Sequence, residues 1–75
     1  MYKWRTYKNH WVLAVPKKGV GYIFYEPDWR TIYRWAVNIS TEEGTGVRAV
    51  ASGIEGTLGE AKGEVESIFD LIEEY

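Results

Sequence analysis

Few side chains in this sequence have the type and spacing that chemistry requires. His10 is the only histidine and there is no cysteine, so multi-histidine and thiolate metal sites, cysteine nucleophiles and disulfides are excluded. Glu42 and Glu43 could together draw a hard cation, but the turn that holds them lacks the spaced ligands of a calcium loop. Ser40-Thr41 and Ser52-Gly53 have no adjacent base and no strand-turn-helix setting to expose a nucleophilic serine. The glycines between Gly44 and Gly63 do not form a phosphate-binding spacing followed by Lys and Ser or Thr. The expectation is therefore a non-enzymatic chain with no catalytic residue, cofactor or metal, in which His10 is an ordinary strand or turn residue.

The sequence is instead rich in aromatic rings interleaved with cations, as in Lys3-Trp4-Arg5, Trp29-Arg30 and Arg34-Trp35. Ten of the twelve aromatic residues lie within residues 1–35, more than a single helix can cover. Trp, Tyr and Arg are the residues from which protein-interface hot spots are built. The same mixture can stack bases and hold phosphates in single-strand binders. Trp4, Arg5, Tyr22, Trp29, Arg30 and Arg34 are the candidate partner-binding residues. A protein partner is the leading expectation, a nucleic acid the alternative, and a homodimer a third arrangement that would cover the same surface.

Charge favours the first of these. Residues 1–34 hold seven lysines and arginines against two carboxylates, and residues 35–75 hold two against nine. The net charge is −2, whereas domains that bind nucleic acid are usually strongly basic. No apolar run approaches the ~20 residues that span a bilayer, and the N-terminus lacks the basic-then-apolar layout of a secretion signal. A soluble, cytoplasmic chain without membrane contact is expected.

The elements that must position these residues follow from periodicity. Residues 2–7, 10–15, 20–26, 31–39 and 47–52 read as strands, bounded by Lys8-Asn9, Pro16-Lys17-Lys18-Gly19, Pro27-Asp28 and the polar turn from Ser40 to Gly46. In the fourth strand Tyr33, Trp35, Val37 and Ile39 share one face; in the second, Trp11, Leu13 and Val15 do. Both faces of residues 11–15 and 20–25 are largely apolar or aromatic, although a sheet with one solvated face should alternate cleanly. Residues 53–56 read as the loop into a helix over 58–75, opened by a capping box of Thr57 and Glu60. Its apolar stripe is Leu58, Ala61, Val65, Ile68, Ile72 and Tyr75, with Phe69 beside them. Gly59 and Gly63 lie on the flank of that stripe, which suggests close packing of the helix on the sheet. The expected fold is α+β: one domain over 1–75, a four- to five-stranded antiparallel meander with one C-terminal amphipathic helix on one face.

The run Gly53-Ile54-Glu55-Gly56-Thr57-Leu58-Gly59-Glu60-Ala61-Lys62, leading into Val65-Glu66, resembles the close of small uncharacterised phage and prophage accessory proteins with Trp-rich strands before a T-L-x-E-A-K helix entry. That resemblance implies an accessory protein in the host cytoplasm, one that binds and inhibits a host component. The chain is also similar to the three-strand-plus-helix arm-binding domains of phage integrases and their plant transcription-factor relatives, which read DNA with the sheet. The extra strand and the acidic balance depart from that second pattern.

Overall fold

In the computed structural model, residues 2–27, 32–40 and 47–72 are described. They form β1 (Arg5–Thr6), β2 (His10–Val15), β3 (Gly19–Glu26), β4 (Ile32–Ser40), β5 (Val47–Glu55) and α1 (Leu58–Leu71). The five strands make one antiparallel sheet in chain order, so each strand pairs with its sequence neighbour. The helix lies across one face of this meander, and the fold is α+β as expected. Trp29, Arg30 and the turn from Thr41 to Gly46 lie outside the described residues, as does Tyr75.

Register fixes which side chains meet the helix, because residues directly opposite in an antiparallel ladder share a face. Trp11, Ile23, Trp35 and Gly53 form one row across the sheet, and Leu13, Gly21, Val37 and Ala51 the next. Leu13, Ile23, Trp35, Val37 and Ile39 are buried against Ala61, Val65 and Phe69 of α1. The alternation expected for β2 and β4 therefore gives the buried face. Gly21 seats the helix: a Cβ there would lie 2.4 Å from Cγ1 of Val65 and 3.3 Å from the ring of Phe69. Gly59 and Gly63, expected to be the close-packing glycines, have no atom within 4 Å of where a Cβ would be. The small residue that close packing requires sits on the strand rather than on the helix.

Three elements also differ from expectation by more than one residue at a boundary. The first strand is only two residues long, because Tyr2 and Trp4 leave the ladder to reach the helix: the Tyr2 hydroxyl donates to Asp70 Oδ1 at 2.5 Å, and Trp4 Nε1 donates to Glu66 Oε2 at 2.7 Å. β5 continues through Gly53 to Glu55 instead of ending at Ser52. Its Gly53 leaves room for the Trp35 indole, whose ring atoms would be 2.8 Å from a Cβ at that position. The helix ends at Leu71 with Ile72 as an extended C-cap, short of the expected Tyr75.

Both helix ends are satisfied. The Glu60 backbone N–H donates to Thr57 Oγ1 at 3.1 Å, the expected cap. The reciprocal half differs: Glu60 Oε1 accepts from the Thr57 hydroxyl at 2.9 Å rather than from the cap's own N–H. No cation lies in the last turn of α1. Lys18, from the turn between β2 and β3, supplies one by donating from Nζ to the Phe69 carbonyl at 3.0 Å, where a positive charge is favoured by the exposed carbonyls and the helix dipole. That turn carries Lys17 at a φ of 68° after Pro16 and closes with Lys18 N–H donating to the Val15 carbonyl at 3.0 Å.

Candidate functional site

Among the described residues the second face of the sheet carries no helix, and the strands place a graded set of rings on it. Arg5 lies opposite Val12, Val12 opposite Tyr22, and Tyr22 opposite Ala36. The adjacent row is His10, Phe24, Arg34 and Ile54. Four rings form a near-parallel series: Tyr7 on His10 at 4.7 Å, His10 on Phe24 at 5.7 Å, and Phe24 on Tyr22 at 6.3 Å between centroids. Aromatic neighbours at such separations attract through offset stacking, so the rings hold one another without a covering layer. Tyr7, Phe24 and Ile54 each keep 45% of their surface exposed, which for large apolar side chains on one face is a marker of interaction.

Beside this series, Phe24, Arg34, Ala36, Ser52 and Ile54 line a shallow groove of about 340 Å³ over β4 and β5. Glu26 grips Arg34 in a fork, with Nε and Nη2 donating to its two carboxylate oxygens at 3.0 and 3.1 Å. The Arg34 hydrogen bonds hold the Glu26 carboxyl below the usual range, and the same pair raises Arg34. Both groups are solvent-exposed, so the pair orients the guanidinium more than it stabilises the fold. Arg34 keeps N–H donors that Glu26 does not use, since a guanidinium carries five.

The candidates from the sequence separate in space. Arg5, Tyr22 and Arg34 come together on the open face. Trp4 does not: besides its bond to Glu66, its ring carries Lys62 Nζ 5.7 Å from the centroid, so it belongs to the strap between the N-terminal arm and the helix. Tyr7, His10, Phe24 and Ile54 are not among those candidates, although the alternation that turns Trp11 and Leu13 inward already turns His10 outward. His10 serves there as a stacked ring. Among the described residues no three carboxylates or histidines converge as metal ligands, and no helix is long and apolar enough to cross a membrane.

The fold and face define a small antiparallel meander with one helix-covered and one open side. Compared with protein-family models, curated proteins and solved structures, the chain gives no significant match.

Proposed function

We propose that this chain is a non-enzymatic protein-binding module whose contact surface is the open face of the sheet. The partner is a protein that offers apolar side chains to Phe24, Tyr22 and Ile54, with carboxylates at the margin to meet Arg5 and Arg34. The observation that carries this reading is the exposure of large apolar groups on one pre-stacked face while α1 packs on the opposite face. Rigid rings lose little conformational freedom on binding, which favours them as anchors. An accessory role in a phage-infected cytoplasm rests only on the resemblance of the helix entry, and the proposed face is independent of it.

Charge supports a protein rather than a nucleic acid as the occupant. Phosphate tracking needs several free cations in a line. Lys18 is turned to the helix end and Lys62 lies over Trp4, so neither joins Arg5 and Arg34 on the open face. The test is fluorescence anisotropy with short single- and double-stranded DNA and RNA at low and moderate salt. Absence of binding is expected. Micromolar binding with a steep salt slope, lost in the Arg5→Ala and Arg34→Ala double variant, would replace the proposal with a nucleic-acid function.

A further inference from the structure

The two edges of the sheet are treated differently. At one edge β1 is two residues long and carries Arg5 between Lys3 and Lys8, a short, charged edge of the kind that resists pairing with another chain. At the other edge β5 runs for nine residues without proline, and no described strand pairs with its outer side. From Ala49 to Ile54 β5 is uncharged, and four of those six residues are Ala, Ser or Gly. Arg48 and Glu55 bracket this run.

Arg48 and Glu55 are seven residues apart, which in a regular strand would put them on opposite faces. They share one face here. Arg48 lies opposite Ile39 and Glu55 opposite Tyr33, both on the helix side, because the pairing of β4 with β5 skips Val50 between Ala51 and Ala49. Glu55 confirms its side by accepting from Trp35 Nε1 at 3.3 Å. Such a skipped residue normally dissuades edge pairing, but in two antiparallel copies the irregularity recurs symmetrically.

We infer that β5 pairs with β5 of a second copy, antiparallel, about a two-fold axis passing midway between the two Ser52 residues. A two-fold normal to the sheet keeps the faces matched, as an isologous contact requires. It sets Ser52 against the second copy's Ser52, and Ala51 against the second copy's Gly53. With Val50 left over in each copy, Ala49 meets the second copy's Ile54 and Arg48 meets the second copy's Glu55, all with matched faces. Symmetry makes the ion pair twice. The small side chains allow the edges to approach, and the product is a ten-stranded sheet with both helices on one side and both open faces on the other. This interface uses the edge, so it stands or falls independently of the proposed partner face.

Sedimentation velocity and native mass spectrometry on the full chain test it. The wild type forms a concentration-dependent dimer. Arg48→Glu, at an exposed side chain, weakens it by about tenfold or more, because like charges then face each other at two sites. Glu55→Arg does the same. An equimolar mixture of the two variants forms the heterodimer, in which both contacts are again of opposite charge. Because Glu55 also receives the Trp35 N–H, hydrogen exchange of wild type against Arg48→Glu gives a second readout: amides of residues 49–54 are slowed by concentration only in the wild type. A wild type that stays monomeric, or a dimer that Arg48→Glu leaves intact, or concentration-dependent protection confined to β2 and β3, would overturn the inference.

Discussion

Replacing Gly21 by alanine is the sharpest probe of how the helix is seated. The added methyl would start 2.4 Å from Val65 Cγ1 and 3.3 Å from Phe69, and both neighbours are fully buried, so neither can swing aside into solvent. Overpacking of this kind costs about 1–3 kcal/mol. Alanine is favoured over glycine in the middle of a strand by roughly 0.5–1 kcal/mol, which leaves a net loss between about zero and 2.5 kcal/mol. Val65→Ala alone removes two buried methyl groups, one of them the carbon that would clash, a loss of about 2 kcal/mol or slightly more once the void is included. In the double variant the methyl added at position 21 enters part of that void, so the combined loss falls below the sum by ~1 kcal/mol or more. Urea denaturation of the four proteins with a common slope measures this. Strict additivity, or a Gly21→Ala variant more stable than the parent, would refute the seating of α1 over Gly21.

The remaining stability predictions concern the two ends of the helix. Thr57→Ala loses the acceptor for the Glu60 N–H and is expected to lower stability by about 1 kcal/mol, read as a shifted denaturation midpoint without change of slope. Tyr2 is pushed up to about 12 from an ordinary 10.0, first by its hydrogen bond to Asp70, then by burial and by the nearby carboxylates of Asp70 and Glu66. Since the folded value lies above the unfolded one, the contribution is fully present below pH ~10 and is lost as pH rises toward ~12. Absorbance titration should show a late-ionising step in the wild type that is lost in Tyr2→Phe; an unchanged late step in the variant would assign it elsewhere.

Much of the fold is legible in the sequence because its signals are local. The alternation of Tyr33, Trp35, Val37 and Ile39 needs only the two-residue period of a strand, and the Thr57 cap needs only four consecutive residues. What is not legible depends on contacts distant in sequence. Gly21 and Gly59 look alike in the sequence; only the crossing of α1 over β3 decides which one needs to lack a side chain. Adjacency groups Trp4 with Arg5, yet its partner is Glu66, sixty-two residues away. The skipped Val50 leaves no mark in Val-Arg-Ala-Val-Ala-Ser-Gly-Ile-Glu, since no residue there requires an unusual backbone. The open face is half legible: the surplus of rings points to a second contact surface, but Phe24 and Ile54 gain their place only from the register of β3, β4 and β5.

The central proposal, a protein-binding open face, is tested most directly by placing a photo-crosslinking amino acid at Phe24 and, separately, at exposed Glu64 on the helix, and irradiating the producing cells. Position 24 is expected to yield one defined protein adduct and position 64 none. Affinity of the purified partner for the chain should then fall by ~2 kcal/mol or more in Phe24→Ala, the loss expected at a true hot spot. Adducts from position 24 that contain only nucleic acid, or a partner whose affinity Phe24→Ala leaves unchanged, would contradict it.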